Sequence, residues 1–121
     1  ITIPDSVTSI SEYTFSGCSK LTVVEIGSGV TSIDNHAFQN CSSLTGITIP
    51  ASVTSIGSYA FCDCSKLTTV EIGSGCTSIS NYAFNNCDDA TELTIGESVY
   101  KIGEGAFYNC SKIKTINYSL F

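Results

Sequence analysis

Phe15, Phe38, Phe61, Phe84 and Phe107 are 23 residues apart, and so are Cys18, Cys41, Cys64, Cys87 and Cys110. A fixed period of this length marks a repeat array, in which each unit buries its apolar face only by stacking on its neighbours. The 121-residue chain therefore reads as one domain whose core grows with each added coil. Its repeats are predicted at 4–26, 27–49, 50–72, 73–95 and 96–118.

Within a unit the apolar spacing changes. Leu44, Ile47 and Ile49 read Leu-x-x-Ile-x-Ile, whose last step has the period of two of a strand with one buried face. Ile56, Ala60, Phe61 and Cys64 then recur at three to four, the spacing of a helical turn. Pro50 and its counterparts Pro4, Gly27, Gly73 and Gly96 end the strand. Strands are expected at 1–3, 23–26, 46–49, 69–72, 92–95 and 115–118, and equivalent strands in successive coils must run parallel. One or two turns of 3₁₀ or α-helix are expected near Ser11, Asp34, Gly57, Ser80 and Gly103, with Ser11, Asp34 and Ser80 as N-caps. The Val-Thr-Ser-Ile segments are candidates for a second, minor sheet.

A doubled rhythm overlies the first. Residues 18–41 and 64–87 differ only at Val23/Thr69, Val30/Cys76, Asp34/Ser80, His36/Tyr82 and Gln39/Asn85, as if a pair of repeats had been duplicated. Ala90 stands where Leu21, Leu44 and Leu67 stand elsewhere. Leucine-to-alanine changes in a core cost about 2–5 kcal/mol, so the fourth repeat is expected to be the weakest. No polar cap is legible at either end, and the array is expected to be an uncapped fragment of a longer protein.

The net charge is -6, with five lysines and no arginine. That balance disfavours nucleic acid and anionic membrane as partners, and no apolar run approaches the roughly 20 residues needed to span a bilayer. Seven cysteines raise disulfides and metals. Five occupy the repeat position, where a buried ladder of free thiols about 5 Å apart is expected. Cys76 replaces Val7, Val30, Val53 and Val99 and reads as core, and Cys62-Asp63-Cys64 lacks the spacing of a zinc knuckle. No metal and no cofactor is expected.

Catalysis finds little support. The single histidine, His36, stands in the column of Tyr13, Tyr59 and Tyr82, an aromatic row expected to stack on itself. Glu25 and Glu71 should lie two strands apart, about 10 Å, near the upper range for an inverting glycosidase pair. Nothing in the sequence buries either carboxylate. Asn40-Cys41-Ser42, Asn109-Cys110-Ser111 and Asn117-Tyr118-Ser119 match the glycosylation pattern, but in the first two the middle cysteine is needed inside.

The run Leu44, Ile47, Ile49-Pro50, Val53, Ile56-Gly57, Ala60-Phe61 and Cys64, with counterparts along the chain, resembles the BspA-like leucine-rich repeat family. Thr14, Cys76, Ala90 and Tyr118 depart from its pattern. The resemblance implies a curved leucine-rich-repeat solenoid with its main parallel sheet on the concave side. It also implies a non-enzymatic cell-surface or secreted adhesion protein of bacteria or parasitic protozoa, binding a host or neighbouring-cell protein or glycan. The family carries over no residue-level site.

Outward positions of the main strands supply the candidates for partner binding: Val23, Glu25, Thr48, Thr69, Glu71, Glu92, Thr94, Thr115 and Asn117. Short polar side chains at fixed spacing on a rigid sheet give contact at little entropic cost. The alternatives are a spacer presenting another domain, self-association through the open edges at 1–3 and 115–118, and, remotely, a carbohydrate hydrolase using Glu25 and Glu71.

Overall fold

A computed structural model describes residues 1–118. The chain winds into stacked coils that carry two strands each. β1 (Thr2–Ile3), β3 (Glu25–Ile26), β5 (Gly46–Ile49), β7 (Thr69–Ile72), β9 (Glu92–Ile95) and β11 (Thr115–Tyr118) line one side. β2 (Ser9–Ile10), β4 (Ser32–Ile33), β6 (Ser55–Ile56), β8 (Ser78–Ile79) and β10 (Lys101–Ile102) line a second. Pairing is parallel throughout and in register by one repeat, as in Thr2↔Glu25, Thr48↔Glu71 and Ser32↔Ser55. The Val-Thr-Ser-Ile segments thus form the second sheet, which runs unbroken through five strands.

The main sheet is interrupted. β5, β7, β9 and β11 pair continuously, whereas β1 and β3 form a separate two-stranded piece. The strand expected at 23–26 is shortened to Glu25–Ile26. The Thr45 amide reaches the Thr22 carbonyl at 3.4 Å, against 2.8 Å for Thr68 to Thr45 one coil later. Gly46, beside Val23 in this column, offers no side chain for a cross-strand pair, and glycine weakens a strand.

The expected helical turns do not form: among the described residues no helix occurs. Overlapping turns take their place, with Thr14 N–H on Ser11 O, Ser16 N–H on Tyr13 O and Cys18 N–H on Phe15 O. The alternate amides are given to the next coil instead, Phe15 to Ala37 at 2.8 Å and Phe38 to Ala60 at 2.7 Å. The physical reason is a left-handed residue in each turn. Tyr13, His36, Tyr59 and Tyr82 have φ of 61°, 60°, 59° and 57°, and one such residue stops a right-handed helix from propagating. Four residues later a second left-handed position holds Gly17, Asn40, Asp63, Asn86 and Asn109, the residue types that tolerate it. Ser11, Asp34 and Ser80 consequently open turns and cap no helix.

Between the sheets and the turn ladder lies the core. The phenylalanines stack at centroid separations of 5.1 to 5.3 Å, and Phe38, Phe61 and Phe84 are fully buried. Each repeat cysteine after the first donates its thiol to a phenylalanine carbonyl of the preceding coil: Cys41 to Phe15, Cys64 to Phe38, Cys87 to Phe61 and Cys110 to Phe84, at 3.1 to 3.4 Å. A valine would fill that volume but leave the carbonyl without this donor. All seven cysteines are free thiols, and Cys76 is buried in the column of the valines. The doubled rhythm has a packing cause as well. A Cβ at Gly29 or Gly75 would collide with the carbonyl of Asp5 or Ala51 in the preceding coil, so even-numbered coils require glycine where odd ones place Ser6, Ser52 or Ser98.

Candidate functional site

Along the main strands, inward and outward residues alternate as a one-sided sheet demands. Ile47, Ile49, Val70, Ile72, Leu93 and Ile95 are buried. Val23, Glu25, Thr48, Thr69, Glu71, Glu92, Thr115 and Asn117 are exposed, and Thr94 is half-buried. The in-register pairing sets Thr48 beside Glu71, Glu71 beside Thr94 and Thr94 beside Asn117. Thr2 and Glu25 form the equivalent pair on the separate piece. One column therefore reads Thr2, Glu25, Thr48, Glu71, Thr94, Asn117 across the strands, and a second holds Val23, Gly46, Thr69, Glu92 and Thr115.

The column is acidic and uncompensated. Thr48 Oγ1 donates weakly to Glu71 Oε2 at 3.5 Å. Among the described residues the one ion pair is Lys112 Nζ to Asp89 Oδ1 at 2.9 Å, so Glu25, Glu71 and Glu92 lack a lysine partner. Lys20, Lys66 and Lys112 share a different column, in the turns that lead into the strands, and all three are exposed. The sheet thus carries a carboxylate row bordered on one side by ammonium groups.

The aromatic row is built differently. Tyr13, His36, Tyr59 and Tyr82 stack face to face at 4.6, 5.0 and 5.3 Å with interplanar angles of 3°, 2° and 17°. Mutual stacking uses up the faces between them, leaving edges and hydroxyls outward. His36 Nδ1 lies 2.6 Å from Gln39 Oε1, and the carboxylate of Glu104 raises the Tyr82 phenol. Sequence reasoning recognised this row but not its left-handed backbone.

Burial holds the Cys41, Cys62, Cys64 and Cys76 thiols in the neutral form. Burial pushes Cys41 and Cys62 up to about 11 from 9.0, and Cys64 in the same direction. A thiol so placed is a poor nucleophile and a poor metal ligand. Among the described residues no group of three or more His, Cys, Asp or Glu side chains converges as a metal site would, and no helix is long and apolar enough to cross a membrane. Of the three glycosylation-type triplets, the first places the buried Cys41 in the middle and the second the half-buried Cys110. Asn109 already donates to Asn86 Oδ1 at 2.8 Å. The third ends at Ser119, outside the described residues.

Stacked in-register coils, a one-sided parallel main sheet and a core of leucine, isoleucine and phenylalanine columns define a leucine-rich-repeat solenoid. Six copies of the BspA-type leucine-rich repeat region match residues 1–119, and the chain belongs to that family. A leucine-rich repeat protein from Bacteroides ovatus is 40% identical, with a TM-score of 0.85, over 92% of this chain and 29% of its own. The pneumococcal vaccine antigen PcpA is 31% identical, with a TM-score of 0.79, over 98% of this chain and 28% of its own. A leucine-rich cell surface protein from Faecalibacterium prausnitzii is 29% identical, with a TM-score of 0.52, over 93% of this chain and 43% of its own. The chain thus spans less than half the length of each. A comparison with curated proteins finds no match.

Proposed function

We propose that this array is a non-enzymatic recognition module of a cell-surface or secreted protein, binding a protein or glycan partner through the outward face of its main sheet. The observation that carries this reading is the exposed row of Glu25, Thr48, Glu71 and Asn117, mounted on strands that are each held by parallel pairing to a neighbour, Glu71 on both sides. Such a surface is pre-organised, so little ordering entropy opposes contact. The family, and a similar protein described as a cell surface protein, support the extracellular setting. Glu25 and Glu71 sit exposed to water on the sheet, with no cleft among the described residues of the main sheet enclosing either carboxylate, and this favours binding over hydrolysis.

Replacing Glu25, Glu71 and Glu92 together by lysine tests the reading. Attachment of the purified array to surfaces coated with host matrix or cells should fall strongly. Unchanged attachment in a variant that still folds would remove the main-sheet face as the site.

A further inference from the structure

The spacing and charge of the main-sheet column select among extended partners. Glu25 and Glu71 are two coils apart, as are Glu71 and Asn117, with Thr48 and Thr94 between them. Two strand spacings amount to about 9.6 Å; from Glu71 to Asn117 the strands are paired throughout, while Glu25 and Thr48 lie across the break between β3 and β5, where the unbroken second sheet keeps the two coils in register. A partner running along the stack must therefore present equivalent groups at that interval on one side. An α-helix advances about 10.8 Å in two turns, more than 1 Å too far at each step. A β-strand covers about 10 Å in three residues, but three residues turn the side chain to the opposite face. A polyproline II helix has three residues per turn and advances about 9.3 Å in doing so. It alone returns the same side at the required interval.

Resting on the main-sheet reading, we propose that the partner is a polypeptide segment in the polyproline II conformation with a lysine or arginine at every third residue, lying across the strands. Its cations sit on Glu25 and Glu71, which have no lysine partner among the described residues, and the next meets the Asn117 carboxamide. Polyproline II carbonyls make no internal hydrogen bonds, so they accept from the Thr2, Thr48 and Thr94 hydroxyls of the same column, Thr48 exchanging its weak bond to Glu71 Oε2 for this one. The lysines of the bordering column, Lys20, Lys66 and Lys112, recur at the same two-coil step. Lys20 and Lys66 repel a partner shifted sideways, which holds its cations on the carboxylate column, while Lys112 is paired with Asp89.

The test uses synthetic peptides titrated calorimetrically at low salt. One repeats Pro-Pro-Lys, a second has the same composition with the lysines grouped at one end, and a third repeats Gly-Ser-Lys. The first is expected to bind several-fold tighter than the other two, in keeping with a few exposed charge pairs. Equal affinity for the first two would overturn the spacing argument, and equal affinity for the first and third the conformational one. The charge-conserving double variant Thr48→Glu/Glu71→Thr moves one carboxylate by a single strand and should abolish the preference. A preference that survives it would also overturn the proposal. If the triple lysine variant loses attachment while the peptides bind alike, the recognition surface stands and only this partner falls.

Discussion

The main sheet and the turn ladder both stitch each coil to the next, yet they leave very different freedom to the residues outside. On the main sheet the strands are held by regular parallel pairing, and outward positions vary among threonine, glutamate, valine, glycine and asparagine. On the turn ladder, left-handed residues, buried phenylalanines and thiol-to-carbonyl bonds fix nearly every position. Its outward aromatics are themselves stacked on one another. A surface whose side chains are not needed for packing is one that a partner can shape, and here that surface is the main sheet.

The contrast predicts a graded set of outcomes. Phe61→Ala, in the middle of the fully buried stack, should cost about 3–5 kcal/mol in urea unfolding. A loss below about 1 kcal/mol would mean that the ladder does not carry the core. Cys64→Val keeps an apolar side chain but removes one of two donors to the Phe38 carbonyl, leaving the Cys41 amide, and should cost about 0.5–1.5 kcal/mol. Cys64→Ser, which restores a donor, should recover part of that loss if the bond matters more than the sulfur's bulk.

Alkaline pH probes the same ladder without mutation. The Cys41 and Cys62 thiols lie at about 11 in the fold against 9.0 ordinarily. Between those values the native state retains protons that the unfolded chain releases. Their contribution to stability is therefore complete below pH 9 and is lost as pH rises to about 11. The urea midpoint should fall across this interval, and less steeply in Cys62→Ala. Smallest of all should be Glu71→Thr on the main sheet: within about 0.5 kcal/mol of the parent in stability, while attachment weakens. A large destabilisation there would erase the distinction between the two faces.

Much of the array was legible in the sequence because each coil repeats the same packing problem. The Phe and Cys columns located the core, and the step of two in Ile47 and Ile49 located strands that the structure contains. The turn between Ile56 and Cys64 was misread as helical, since apolar spacing of three to four is shared by a helix and by a run of overlapping turns. A signal against helix was present in the column Gly17, Asn40, Asp63, Asn86 and Asn109, whose residue types favour left-handed backbone. No such signal marks Tyr13, His36, Tyr59 and Tyr82, because aromatic residues do not prefer that conformation. The stacking of rings and the amide bonds to the next coil hold them there.

The period by itself determined that this chain coils, which residues face inward, and which columns run along each side, because identical units can bury their apolar faces only by stacking in register. The tertiary structure alone decided the left-handed backbone at Tyr13, His36, Tyr59 and Tyr82, the break between β3 and β5, and the carbonyl that each thiol meets. Those depend on atoms 22 to 26 residues away in the chain, brought within reach only when one coil lies upon another.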